Sequence, residues 1–343
     1  MPRHPNVTIA ALVCSTLPRT MSRVRLKHTS LLARQWLLAP GGGAQAVIAF
    51  GIPGLAILAL LIVPALRKTS DTTRTTGRSP QRIIAIAPNS AEVICALGAC
   101  DRIVGVSKFC VHPPELLDRP KVGGLSDPDL ERIAALRPDL LVMRGKNEAL
   151  ERLCEDLQIP IYKDETDSLP GIGQCLRELG GRLGLTDRAA EVANQFQQRI
   201  DSIRSRCAGR NRPRVLLTVS RQPDRLANVL TSGKGTFLDQ MIEVSGGVNV
   251  FGHLDMIYPQ VSPEGMLAQQ PEVIIELMPG LELTAAIKEQ MIAQWRQLGT
   301  MPAVTKNQIY VLTDENLLIP SPRFVEVIDK VSRLLHPESE VAP

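Results

Sequence analysis

Five histidines, His4, His28, His112, His253 and His336, contain no HExxH pair and no i,i+4 couple. No helix face therefore offers paired imidazoles to a catalytic metal, and no Ser-His-Asp order can be argued. Seven cysteines, Cys14, Cys95, Cys100, Cys110, Cys154, Cys175 and Cys207, form no CxxC pair, which removes zinc-ribbon and thioredoxin-like chemistry. Cys95 and Cys154 fall on apolar helix positions and read as small core residues. Disulfides stay unassigned. Ser232-Gly-Lys-Gly-Thr236 has Asn228 where a phosphate loop requires Gly, so it reads as a plain turn before a helix. Gly171-Ile-Gly173 lacks the third Gly of a dinucleotide fingerprint and reads as a loop leading into a helix. Nothing here predicts an enzyme, a resident cofactor or a metal site.

Two glutamates are more informative. Glu131-Arg-Ile-Ala-Ala-Leu-Arg-Pro138-Asp-Leu-Leu-Val matches Glu264-Gly-Met-Leu-Ala-Gln-Gln-Pro271-Glu-Val-Ile-Ile, with each Glu seven residues before its Pro. Each segment predicts a short helix opened near a first Pro (Pro128, Pro263) and closed by a second that feeds a buried strand. One reading of each Glu is a carboxylate complementing its helix dipole. The other is a pair of exposed acids, one per repeat, that meet basic residues on a two-fold symmetric partner.

The elements that would position these residues alternate. Strands are predicted at Arg82–Ala87, Arg102–Val106, Asp139–Met143 and Ile159–Tyr162, then at Arg214–Val219, Glu272–Leu277 and Gln308–Leu312. Amphipathic segments such as Ser90–Leu97, Pro128–Leu136 and Glu148–Leu157 lie between them, the pattern of parallel sheets with covered faces. Two α/β lobes, 82–168 and 213–337, follow from the grouping. Residues 169–212 read as connecting helices: Gly180, Gly181 and Gly184 break the stretch, and Arg188 to Arg206 forms a strut of about 28 Å.

A chain of 343 residues, 44% hydrophobic, can fill the cores of two such lobes. Aromatics are only 3%, too few for base stacking, so nucleic acid is not an expected partner. Residues 1–70 carry eight Lys/Arg and no acid, leaving 31 basic against 35 acidic side chains in the remainder. The positive charge thus belongs to a basic segment, 1–43, beside an apolar run, 44–66, long enough to cross a bilayer. The basic excess places the amino terminus in the cytoplasm and the lobes outside. A signal anchor is the first reading. A cleaved export signal, through Val63-Pro64-Ala65, and a buried helix are the others. A linker, 67–81, leads to the lobes.

From Arg82 to Leu335 the sequence resembles the periplasmic substrate-binding proteins of ABC importers for cobalamin and ferric siderophores. The resemblance rests in the first lobe on Arg82-Ile-Ile-Ala-Ile-Ala-Pro-Asn-Ser-Ala-Glu-Val-Ile-Cys-Ala-Leu-Gly98, Asp101-Arg-Ile-Val-Gly-Val106, Pro113-Pro114, Val122-Gly-Gly124, Leu130-Glu-Arg-Ile133 and Arg137-Pro-Asp-Leu-Leu141. In the second it rests on Thr231-Ser-Gly-Lys-Gly235, Glu243-Val-Ser-Gly-Gly-Val-Asn-Val-Phe251, Tyr258-Pro-Gln-Val-Ser262 and Ser321-Pro-Arg323, most similar to cobalamin-binding members. It implies two Rossmann-like lobes on a rigid helix, a ligand clasped between them, and a monomer that delivers it to a permease dimer driven by a separate ATPase. It also implies that Glu131 and Glu264 dock on permease arginines.

Candidates for the cleft are Phe109, His112, Met143, Arg144, Phe251, Tyr258 and Asp314, in loops or at strand ends on the sheet edge where α/β folds bind ligands. Met143 and Tyr258 stand where the cobalamin carriers have Trp. The implied cargo is cobalamin or another bulky metal chelate, with a ferric siderophore or haem as the alternative. A chelatase-like enzyme would need cluster cysteines, and none has suitable spacing.

Overall fold

The computed structural model describes residues 78–222 and 225–337. The basic segment, the apolar run and most of the linker lie outside the described residues. No described helix is long and apolar enough to cross a membrane.

In the first lobe β1 (Ile83–Ala85), β2 (Ile103–Val106), β3 (Leu140–Arg144) and β4 (Ile161–Asp164) form a parallel sheet in the order β2-β1-β3-β4. Helices α1 (Pro88–Ala96), α2 (Leu130–Ala135) and α3 (Glu148–Asp156) connect them. The second lobe contains β5 (Arg214–Thr218), β6 (Val229–Leu230), β7 (Val248–Asn249), β8 (Gln260–Val261), β9 (Val273–Leu277) and β10 (Ile309–Leu312). Its parallel sheet runs β10-β9-β5-β7, beside a small antiparallel pair, β6-β8. Taken in chain order, the four parallel strands of either lobe are arranged second, first, third, fourth.

The duplication extends to single hydrogen bonds. Asp139 accepts the backbone N–H of Arg82 at 2.8 Å, and Glu272 accepts that of Arg214 at 3.0 Å. The Arg82 guanidinium then donates to the carbonyl of Leu136 at 2.7 Å, as Arg214 does to that of Gln269 at 2.8 Å, closing the C-terminus of the short helix in each lobe. Arg137 and Gln270, each directly before its Pro, take the left-handed conformation at φ 46° and 45°. The prolines end these helices because the residue before Pro is sterically barred from continuing the right-handed turn.

Helices α4 (Leu169–Leu183) and α5 (Thr186–Cys207) join the lobes. The expected break at Gly180 and Gly181 is absent, and α4 continues through both until Gly184, at φ 70°. Gly180 serves packing instead, since a Cβ there would lie 2.2 Å from that of Ala189 on α5. Gly171 and Gly173 likewise belong to the first turns of α4, capped by the Ser168 hydroxyl, and not to a preceding loop. With 22 residues α5 spans roughly 33 Å, a little longer than the sequence predicts. Its buried stripe, Val192, Phe196, Ile200 and Ile203, recurs every three or four residues. One apolar cluster runs from β1 through α4 and α5 to β5, α6 (Phe237–Val244) and α10 (Phe324–Leu335). The remaining helices, α7 (Pro263–Ala268), α8 (Ala285–Arg296) and α9 (Pro302–Thr305), belong to the second lobe.

A second tie between the lobes is polar. Glu92, on α1, accepts from Arg323 at 2.6 Å and from the Ser321 hydroxyl at 2.5 Å. Both donors lie in the loop before α10. Glu92 is buried, and these donors reach both of its carboxyl oxygens.

Cys95 is not a free core thiol: it forms a disulfide with Cys100. The two half-cystines are separated by 5 positions, a spacing without a motif signal. Cys154 is free and buried as expected, its thiol pushed up to about 11 by burial. A disulfide closing so short a loop contributes about 2 kcal/mol. Replacing Cys95 and Cys100 with Ser is expected to lower the unfolding free energy by that amount in urea, and an unchanged midpoint would contradict it.

Candidate functional site

A cavity of about 230 Å³ lies between the lobes, at the carboxyl ends of β1, β2, β3 and β5. The first lobe contributes the turn from Ile86 to Asn89, Lys108 and Phe109 after β2, Leu125 to Asp127, and Arg144 at the last position of β3. Facing them from the second lobe are Val219, Phe237, Tyr258 and the stretch Leu318 to Pro320.

Both cations of the lining are already neutralised. Arg144 donates to the Asp167 carboxylate and, at 2.5 Å, to the carbonyl of Thr166. Lys108 Nζ pairs with Asp127 at 2.7 Å, and that bond holds the Asp127 carboxyl below its ordinary range. This second pair is exposed at the rim and contributes little to stability. Its importance is that it leaves no net charge there. Burial, reinforced by the nearby Asp167 carboxylate and opposed by Arg144, pushes the Tyr258 phenol up to about 12. At neutral pH Tyr258 therefore offers a hydroxyl and not an oxyanion.

The segment Thr231 to Gly235 finds its purpose here. Its backbone grips the loop that carries Tyr258, with Thr231 N–H donating to the carbonyl of Pro259 at 3.0 Å, Gly233 to Ile257 at 2.9 Å and Lys234 to Leu254 at 2.8 Å. A Cβ at Gly233 would stand 1.8 Å from the Met256 carbonyl oxygen, so only glycine fits. Thr236 then caps α6, as the turn-before-helix reading requires.

Of the seven expected ligand residues, Phe109, Arg144 and Tyr258 meet in this cavity. Four do not line it. Met143 is fully buried among Ile84, Ile133 and Leu141, because β3 is a central parallel strand covered on both faces and only its next residue, Arg144, emerges. Phe251 packs into the second core with Met266 and Trp295. Asp314 is tied to Lys330 Nζ at 2.7 Å. His112 is half-buried in the loop after β2, outside the lining.

Glu131 and Glu264 lie away from the cavity, each exposed at the second position of its six-residue helix, α2 or α7. Asp129 caps the first helix and Ser262 the second. The backbone N–H of Glu264 and the Ser262 hydroxyl lower the carboxyl of Glu264, so it stays ionised at neutral pH.

Sequence reasoning missed Asn89, Lys108, Asp127 and Phe237. Lys108 and Asp127 are ordinary surface residues by type. They flank Phe109 and Val122-Gly-Gly124, however, and Gly124 N–H donates to the Asp127 carboxylate at 3.2 Å. That turn was the available signal.

Two α/β lobes around a cleft, joined by helices, are shared with proteins of known role. A vitamin B12-binding protein of Pectobacterium atrosepticum is 32% identical over 237 residues, 67% of this chain and 81% of that one. The crystal structure of the periplasmic vitamin B12-binding protein of Vibrio cholerae matches with a TM-score of 0.64 and 26% identity, over 77% of this chain and 99% of that one. A periplasmic heme-binding protein from Pseudomonas aeruginosa matches with a TM-score of 0.66 and 25% identity, over 76% and 94%. These relatives bind a solute and are not enzymes. With the periplasmic binding protein model matching residues 83–316, both lobes and the helices between them, the chain belongs to the periplasmic binding protein family.

Proposed function

We propose that the chain is the solute receptor of an ABC importer, and that it captures cobalamin, or a similar bulky chelate whose edge is uncharged, between its two lobes. The observation that carries this reading is the neutralised cleft. Lys108 and Arg144, the two cations of the lining, are each committed to an aspartate of the protein. Haem and most siderophores present carboxylates or other anions, which a site normally meets with uncommitted Arg or Lys. A corrin presents amides and methyls, which suit a lining of Phe109, Phe237, Ile319 and the Tyr258 hydroxyl. A cavity of about 230 Å³ takes one edge of such a macrocycle, and the remainder stands in the mouth between the lobes.

Delivery follows from the same architecture. The shared apolar cluster and the Glu92 tie limit the lobes to small hinge motions. Glu131 and Glu264 present one acid per lobe to a permease dimer, and an ATPase supplies the energy. The apolar run 44–66 holds the receptor to the outer side of the cytoplasmic membrane.

The haem or siderophore reading is kept by one feature: Arg144 could exchange Asp167 for an anionic ligand. A thermal-shift panel on residues 79–343 decides between the two. Cyanocobalamin at one hundred times its Kd is expected to stabilise the body by about 2.7 kcal/mol. A shift with haemin or a ferric siderophore alone would overturn the cobalamin choice. Tyr258→Ala is expected to weaken cyanocobalamin about tenfold by calorimetry, through lost apolar area and a lost hydroxyl. Unchanged affinity would take Tyr258 out of the site.

A further inference from the structure

Asp164 ends β4 with its side chain fully buried and, among the described residues, with no cation bonded to it, yet donors converge on it. Asn89 Nδ2 and the Ser90 hydroxyl each donate at 2.6 Å, the Thr166 N–H at 2.9 Å and the Cys175 thiol at 3.7 Å. Asn89 and Ser90 are the second and third residues of α1, so the carboxylate also sits at a helix start, where negative charge is favoured.

Asn89 is 4% exposed and lines the cleft. Asn89 Nδ2 donates to Asp164 Oδ2, so the NH₂ group is the end of the amide committed to that side chain. Among the described residues the other end, Oδ1, has no hydrogen-bond partner. The Asp164–Thr166 turn also sets the Thr166 carbonyl, which receives a donor of Arg144. One buried acid thus leaves the acceptor end of a cleft-lining amide unengaged and helps hold back a cation.

We propose that Asn89 is a specificity-determining acceptor for the amide or hydroxyl edge of the ligand, and that Asp164 is the positioning residue that fixes its orientation. This rests on the receptor reading above and deepens it. A ligand edge bearing N–H or O–H donors meets the oxygen of Asn89 favourably, whereas a carboxylate edge meets an acceptor that cannot turn.

The test measures calorimetric affinities for cyanocobalamin, which has an amide edge, and haemin, which has a carboxylate edge. Wild type, Asn89→Ala, Asp164→Asn and the double variant are compared, each first checked for a cooperative thermal transition. Wild type should prefer cyanocobalamin. Asn89→Ala should weaken cyanocobalamin about five- to tenfold and leave haemin within about twofold. Asp164→Asn, which frees the amide to turn, should weaken cyanocobalamin similarly, and the double variant should be no weaker than Asn89→Ala alone.

Equal losses for both probes, or additive losses in the double variant, overturn the inference while the receptor reading stands. Wild type that binds haemin but not cyanocobalamin overturns it too, and wild type that binds neither probe overturns both. Should Asp164→Asn fail to fold, the cyanocobalamin-to-haemin ratio of Asn89→Ala decides, and side-chain amide NMR of Asn89 in the wild type replaces the second arm. A downfield, slowly exchanging amide proton is expected there, and a freely exchanging NH₂ overturns the positioning role.

Discussion

Reversing both acids, Glu131→Arg with Glu264→Arg, is expected to reduce transport in cells at least about a hundredfold and to leave the ligand affinity of the isolated receptor unchanged. The two parts of the outcome have separate physical causes. Both carboxylates are exposed on the first turns of matched helices and touch nothing in the cleft, so their removal does not alter the lining. A partner that meets an acid on each lobe with a base would instead face like charges at both ends of its footprint, which affects encounter rate and seating together. Single reversals should give intermediate loss, steeper at low ionic strength, because exposed charges are screened within about 8 Å at physiological salt. Uptake that survives the double reversal would remove these residues from the docking surface.

Arg323→Met is expected to lower the stability of the body by about 3 kcal/mol, or roughly 6–12 °C in thermal midpoint. Among the described residues it leaves the Glu92 side chain buried with only the Ser321 hydroxyl as partner. The loss lies at the low end for a buried pair because the Arg323 side chain is 21% exposed and its site can admit water. Glu92→Gln with Arg323→Met should recover part of the loss, since removing both charges avoids an unpaired one. A double variant as unstable as the single would mean that the contact is mainly one of shape.

The seven longer strands were legible because buried parallel strands require unbroken branched-aliphatic runs. The pairs β6, β7 and β8 were not. Two residues carry no periodicity: β6 and β8 pair beside the loop that Thr231 to Gly235 grips, and β7 is set by its pairing with β5. Met143 was misplaced by a single position, since nothing local tells where a covered strand emerges from its sheet. Phe109, Arg144 and Tyr258 were found from their loops and strand ends. Asn89 and Asp164 were hidden because polarity at a helix start reads equally well as ordinary capping. The Cys95–Cys100 link had no motif to announce it.

The common strand order and the paired Arg caps make the two acidic corners nearly interchangeable from outside. A two-fold permease reading only those corners would accept the receptor in either of two poses half a turn apart. Those poses differ only by the partner's own rotation and are equivalent, so the unlike neighbours of the two acids, Arg132 after Glu131 and Gly265 after Glu264, do not separate them. Either half of a symmetric gate would therefore receive either end of its visitor with the same result.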